Sequence, residues 1–439
     1  MGGRVVLHSD LNNCYASIEC MLHPELRGKY IAVCGSTEDR HGIVLAKSEK
    51  AKQAGIKTGM VNWEAKRLVL AKNQLAKQCG VKTGEVIWEA RQKCPQLTIV
   101  PPHMDQYLKF SRIVRAIYLR YSPEVESFGI DESWIELTGS PLLAHKTPAE
   151  IANEIRKAVK EEVGLTVSIG VSFNKIFAKL GSDMKKPDAV TEITEASFKE
   201  QIWPLPASEL LCVGRATTER LRCYGIHTIG DLAKADRQML VRLLGINGEK
   251  LWIFANGLDQ SRVMPCDYDP PIKSVGHGIT CTDDLLSKDE VRHVLMELSQ
   301  EVGLKLRKNK LAATRVRISV RDNTLSHREY QGKLTFPTQS YTEIAAAGFE
   351  LFCKKHTWNN NIRSLTISAI DLIPSDTPIQ LDLWSDFTKH NKRLILERTM
   401  EDIRRRYGLH SINFAALTTG LKMPAHREVE YKMPSVMYH

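Results

Sequence analysis

Apolar positions along this chain change spacing several times, and each change marks an element. Residues 4–8 (Arg4-Val5-Val6-Leu7-His8) read as a short buried strand that ends at Asp10. Residues 30–35 and 42–46 read as further short strands. Residues 104–121 carry helical periodicity, and 147–163 read as a charged amphipathic helix. Between them, apolar runs in 125–137 flank Gly129-Ile130-Asp131-Glu132, which predicts a hairpin. Residues 165–171 then return to a strand. The order strand, helix, hairpin, helix, strand is that of a ferredoxin-like α+β sheet.

Beyond it the pattern turns helical over 194–260, punctuated by Gly214, Gly225, Gly245 and Gly248. Residues 261–272 hold three prolines and no periodicity, so they read as a linker between domains. Residues 273–374 form a separate small α/β unit, followed by a polar stretch, a helix near 389–407 and an irregular tail. A chain of 439 residues is too long for one core, and three or four domains are expected.

One stretch repeats. Residues 44–67 match 69–92, with about 15 of the 24 positions identical. Lys57-Thr58-Gly59 returns as Lys82-Thr83-Gly84, and Trp63-Glu64-Ala65 as Trp88-Glu89-Ala90. Two copies are too few for a solenoid, so a tandem duplication of one helical hairpin is the reading.

Composition narrows the partners. A net charge of +10 and a pI near 9.0 point to a polyanion, nucleic acid first. The ten cysteines form no CxxC pair or zinc-spaced cluster, which fits a reducing cytoplasm. No apolar run reaches the roughly 18–20 residues that span a bilayer, so no membrane partner is expected.

The candidate chemistry is carboxylate chemistry. Asp10 ends the first strand, and Asp131 and Glu132 sit at the hairpin turn of the same expected sheet. Three carboxylates at one sheet edge make a hard, oxygen-rich site suited to Mg²⁺. Two such ions activate a hydroxyl nucleophile and neutralise phosphates.

These residues lie in longer motifs. His8-Ser9-Asp10-Leu11-Asn12-Asn13-Cys14-Tyr15-Ala16-Ser17-Ile18-Glu19 resembles the first motif of the Y-family DNA polymerases. Gly129-Ile130-Asp131-Glu132-Ser133-Trp134 resembles the second. Residues 168–180 (Ser-Ile-Gly-Val-Ser-Phe-Asn-Lys-Ile-Phe-Ala-Lys-Leu) with Asp183-Met184-Lys185-Lys186-Pro187 resemble the third. The resemblance covers about residues 4–410. It implies a multidomain right-hand polymerase: palm (1–10 and 103–193), fingers (11–102), helical thumb (194–260), linker (261–272), α/β little finger (273–374) and C-terminal extension (375–439). It implies template-directed translesion synthesis by a monomer, with primer-template DNA and dNTP as substrates and two Mg²⁺ ions as cofactors. Asp10, Asp131 and Glu132 are then the catalytic metal ligands, joined by the Leu11 carbonyl. Tyr15 matches the steric gate that excludes a ribose 2′-hydroxyl, and Lys186 the triphosphate-binding lysine. Two positions depart from the pattern. Asn12 stands where many members have a second Asp, and Cys14, beside the nucleotide sugar, where an aromatic residue commonly precedes the gate. A nucleotidyl cyclase with a similar palm, or a DNA- and clamp-binding adaptor without catalysis, are the competing classes. The thumb, linker and basic strand argue against the first, and the retained carboxylates, Tyr15 and Lys186 against the second.

The family places further triphosphate contacts at the start of the fingers helix, and here two segments compete. The first copy offers Glu49 and Lys52, the second Gln74 and Lys77. Chain order favours the first. Electrostatics favours the second, because a carboxylate beside phosphates repels. Three parts are assigned to DNA and its accessories. Residues 211–221 resemble a helix-hairpin-helix whose Gly214-Arg215 turn meets a phosphate, with Cys212 in place of its usual first glycine. Thr314 to Arg321 alternates, setting Arg315, Arg317 and Arg321 on one basic face. Gln380-Leu381-Asp382-Leu383-Trp384 resembles the peptide that bacterial polymerases insert into the sliding clamp, with Gln380, Leu383 and Trp384 as anchors.

Overall fold

The computed structural model describes residues 3–34, 69–82, 87–381, 386–408, 411–418 and 420–423. The described residues up to Asp269 form one compact unit and those from Pro270 onward a second. In chain order the first unit contains β1 (Val6–Leu11), β2 (Ile31–Cys34), β3 (Val69–Lys72), β4 (Thr98–Val100), β5 (Val125–Ser127), β6 (Glu132–Glu136), β7 (Val167–Ser172) and β8 (Val190–Ile193).

Five strands make the central sheet, in the order β5-β6-β1-β7-β8. The run β5-β6-β1-β7 is antiparallel throughout, and the helices Met104–Tyr118 and Pro148–Val163 are its crossovers. This is the ferredoxin-like arrangement that the element order predicts, with β8 added in parallel beside β7. Every residue of β1 and β7 is buried. Successive β1 side chains point to opposite faces. Leu7 and Leu11 pack into the core shared with the two crossover helices, and the Ser9 hydroxyl meets that of Tyr118 at 2.8 Å. Each such Leu, once fully buried, contributes about 1.5–3 kcal/mol. Val6, His8 and Asp10 face the other way.

That second face is covered by the helix Lys175–Met184. Asn174 caps it, its side chain accepting from the Phe177 N–H at 2.8 Å. The helix lies so close to β7 that a Cβ on Gly170 would fall 1.9 Å from the Ala178 carbonyl oxygen. Only glycine allows that approach. Lys175, at its start, is buried against Glu126 at 2.7 Å and donates to the Arg262 carbonyl at 3.2 Å. The Met264 N–H donates to Glu126 at 2.8 Å, so the opening of the proline-containing stretch is tied to this unit.

A smaller sheet, β3-β2-β4, lies in the segment expected to form the fingers. Its β3 is the opening of the second repeat copy and pairs antiparallel with β2. The Asn73 side chain accepts from Ala76 N–H at 3.0 Å, capping the helix Gln74–Gln78, and from Ile31 N–H at 3.2 Å. The first copy, with Glu49 and Lys52, lies outside the described residues. The helical stretch resolves into Phe198–Ile202, Arg215–Arg222, Ile229–Lys234, Arg237–Leu244 and Ile246–Ala255.

The second unit is a four-stranded antiparallel sheet built from β9 (Ser274–Leu285), β10 (Leu311–Asp322), β11 (His327–Thr338) and β12 (Ile362–Pro374), in the order β11-β10-β12-β9. The helices Lys288–Lys308 and Tyr341–Lys355 share its core. A last helix, Phe387–Tyr407, docks on this unit through buried Glu397, which accepts from Ser340 Oγ at 2.6 Å and from Tyr341 N–H at 3.0 Å. Among the described residues no helix is long and apolar enough to cross a membrane.

Candidate active site

The register of β1 and β6 assembles the carboxylate edge. Asp10 lies directly opposite Glu132, one step beyond the pairs His8–Trp134 and Val6–Glu136. Paired residues share a face of the sheet. The face that holds His8 against Trp134, with ring centroids 5.2 Å apart, therefore ends in two carboxylates. Asp131 precedes the strand, and its carbonyl accepts from Leu11 N–H at 2.9 Å. Gly129, with φ +94°, makes the turn between β5 and β6.

Two lysines from the covering helix and the loop beyond it close on this edge. Lys186 Nζ donates to Asp10 Oδ2 at 2.7 Å, and Lys179 Nζ lies 2.6 Å from Glu132 Oε2. Asp183 sits between them, 2.8 Å from Lys186 and 3.5 Å from Lys179. His8 Nδ1 meets Ser182 Oγ at 2.8 Å, and Nε2 faces Glu132 Oε2 at 3.3 Å. Motif comparison anticipates Lys186 but gives no role to His8, Lys179 or Asp183. For Lys179 the signal present was its i,i+4 pair with Asp183 on a helix following a buried strand.

Charge at the edge is unbalanced. Burial pushes Asp10 up to about 7, although the Lys186 ammonium draws it down, and the Glu132 charge adds to the rise. Burial and then Glu132 also raise Asp131. Burial acts on Glu132 in the same sense, but contacts with His8 and Lys179 outweigh it and hold it well below the usual carboxylate range. Burial holds His8 below the usual imidazole range. Among the described residues no group of three or more His, Cys, Asp or Glu is arranged to hold a metal ion as it stands. Ammonium groups of Lys186 and Lys179 stand beside Asp10 and Glu132. The donor set nonetheless fits a hard divalent cation, being three partly buried carboxylates at one edge of the sheet.

Asn12 is structural. Its Oδ1 accepts from Ser168 Oγ at 2.9 Å and its Nδ2 donates to Thr166 Oγ1 at 3.2 Å, which ties β1 to β7. An aspartate there could keep the second bond only by accepting from the Thr166 hydroxyl. Asn13 adopts a left-handed φ of +49° and turns the chain into the helix Cys14–Leu22. Cys14 is buried there, and Tyr15 is half-buried with its ring stacked on Tyr107 at 4.4 Å. Burial and then the Asp131 charge raise the Tyr15 phenol to about 12.

The remaining predicted residues are dispersed. Gln74 and Lys77 are exposed on the second copy. Gly214 caps the helix Arg215–Arg222, and the exposed Arg215 pairs with Glu219 at 3.1 Å. Cys212, where the motif has glycine, takes a left-handed φ of +70°. On β10, Val316, Ile318 and Val320 enter the core while Arg315, Arg317 and Arg321 occupy the other face. Arg315 pairs with Asp371 at 3.4 Å, yet the Nε atoms of Arg315 and Arg321 have no hydrogen-bond partner. Gln380 is exposed, and Leu383 and Trp384 lie outside the described residues.

The model of the impB/mucB/samB family matches residues 9–70 and 61–183, and that of its C-terminal domain matches 272–383. The two N-terminal matches overlap at 61–70, across the end of the first repeat copy and the start of the second. A protein of Acetivibrio thermocellus named DNA polymerase IV is 47% identical over 409 residues, covering 93% of this chain and 96% of that protein. The Bacillus subtilis protein DNA polymerase IV 1 is 34% identical over 415 residues, covering 94% and 93%. Among solved structures, a Y-family DNA polymerase chimera superposes with a TM-score of 0.67 at 21% identity, covering 84% of this chain and 99% of that one.

Proposed function

The chain belongs to the impB/mucB/samB family, that of the Y-family DNA polymerases, and on that premise we propose that the Asp10–Asp131–Glu132 edge is its nucleotidyl-transfer centre. The chain is a translesion DNA polymerase that extends a primer with dNTPs along a DNA template. Family membership implies a divalent metal. We assign that metal to Mg²⁺, two ions held by Asp10, Asp131, Glu132 and the Leu11 carbonyl. When bound, the ions lower the pKa of the primer 3′-hydroxyl and offset the charge of the triphosphate.

The observation that carries the assignment is the Asp10–Glu132 pair on one sheet face with Asp131 adjacent. Lys186 and Lys179 now neutralise Asp10 and Glu132. With a metal held by Asp10, Lys186 would be free to offset negative charge on the leaving pyrophosphate. Asp183, beside both lysines, orients them. Tyr15 bars the ribose 2′-hydroxyl, and Lys77 with Gln74 serves the triphosphate. In support of the second copy, its strand β3 pairs antiparallel with β2. Gly214-Arg215 and the basic face of β10 bind the DNA backbone. The Gln380–Trp384 segment binds the sliding clamp, and the chain works as a monomer.

Primer extension tests the centre. Asp131→Ala is expected to reduce extension by about 10³-fold or more while primer-template binding persists. Near-normal extension by that variant would overturn the assignment.

A further inference from the structure

Glu19 is a carboxylate with no part in the chemistry above. Its side chain is fully buried on the helix Cys14–Leu22, one turn beyond Tyr15 and on the same side of that helix. Its Oε1 accepts from the Tyr107 hydroxyl at 2.5 Å and lies 2.9 Å from His103 Nδ1. Its Oε2 has no hydrogen-bond partner. Burying a carboxylate is costly, and more so with one oxygen unsatisfied. An apolar side chain would fill the same space without that cost. A residue retained at such a cost is explained by what it holds.

What it holds is Tyr107, whose ring is buried and stacks on Tyr15 with an interplanar angle of 9°. We propose that Glu19 is a positioning residue for sugar discrimination: through the Tyr107 hydroxyl it fixes the Tyr107 ring, and that ring fixes the plane of Tyr15. The inference rests on Tyr15 being the wall against which the 2′-position is read. Excluding one oxygen atom requires a wall that does not yield. Tyr15 is half-buried and backed by Tyr107. A stacked pair alone restrains a ring weakly. A short, charge-assisted hydrogen bond is directional and about twice as strong as a neutral one. Burial and the bond to Glu19 also push the Tyr107 phenol upward, so it remains a donor.

Single-nucleotide incorporation by the full chain tests this, with kcat and KM measured for one dNTP and its matching rNTP. Tyr107→Phe keeps the ring and removes only the bond to Glu19. It is expected to raise rNTP kcat/KM by roughly tenfold with dNTP kcat/KM little changed. Glu19→Ala should behave likewise, and Glu19→Gln, which keeps the volume and an acceptor, should restore most of the discrimination. Tyr15→Ala serves as the reference. If Tyr15→Ala abolishes discrimination while Tyr107→Phe leaves the rNTP/dNTP ratio unchanged, Glu19 has no positioning role and the gate stands. Equal losses for both nucleotides in Tyr107→Phe would also overturn the proposal. Unchanged discrimination in Tyr15→Ala would remove the gate itself and this inference with it. Should Glu19→Ala fail to fold, Tyr107→Phe still decides.

Discussion

Strand alternation sorts β1 residue by residue: Leu7, Ser9 and Leu11 serve one core, while Val6, His8 and Asp10 face the helix that brings Lys179. A shift of one residue in register would exchange the two sets, so the buried hydrophobics also aim the carboxylate. The loop carrying Lys186 is held by a separate device. Asp188 pairs with Arg156 at 2.6 Å and Lys160 at 2.7 Å, both on the helix Pro148–Val163. Burial works against ionisation of Asp188, but the bonds from Lys160 and Arg156 leave its pKa lowered. A carboxylate with a lowered folded-state pKa stabilises the fold above its unfolded pKa, and that stability is lost as pH falls through the folded value. Asp188→Asn should therefore cost about 1 kcal/mol at neutral pH. The difference from the parent chain should shrink below about pH 4. Denaturant unfolding at several pH values checks this, and a gap that widened on acidification would contradict it.

Among elements, β10 shows most directly how one strand serves two purposes. Its Val316, Ile318 and Val320 anchor the second unit's core, and its arginines lie on the opposite face. In register beside them are Lys333, Gln331 and His327 on β11 and Ser368 and Ser364 on β12, with Ile370 opposite Arg315, so the face is largely polar across three strands. Such a surface suits a phosphate backbone without reading bases. Replacing Arg315, Arg317 and Arg321 together by Ala should weaken primer-template binding similarly on all sequences and flatten its salt dependence by roughly 2–3 in the log–log slope. Titration at several salt concentrations measures both, and an unchanged slope would show that the face does not lie on DNA. In the helix-hairpin-helix, by contrast, a left-handed Cys212 keeps the turn that glycine would make, at a cost of roughly 1–2 kcal/mol.

For the whole molecule the unusual feature is the repeat. The second copy supplies β3, and Asn73 binds that copy to Ile31 and Lys29. It is thus an integral part of the small sheet, and the family model is entered twice across the two copies. Deleting residues 44–68 should leave a folded enzyme that extends primers. In the parent chain, Lys77→Ala should raise the KM for dNTP several-fold, while Lys52→Ala should leave it near the original value. Steady-state kinetics on the three proteins decide the matter, and the reverse order of the two lysines would transfer the triphosphate site to the first copy.

The sequence by itself determined the α+β order, the family, the three carboxylates and the alternation of β10, because each is written in contiguous residues or in a period of two. It also showed the repeat but left open which copy completes the sheet, since both carry the same strand pattern. The second copy's strand pairs with β2, a contact between segments far apart in the chain. The same holds for His8 and Lys179 on Glu132, for Lys186 on Asp10, and for Glu19 beneath Tyr107. These partners stand 84 or more residues apart in several cases, as His103 does from Glu19. Local propensity has no term for such distances. Only the packing of the helix Lys175–Met184 against Gly170, and of Met104–Tyr118 against the helix bearing Tyr15, brings the groups within bonding reach.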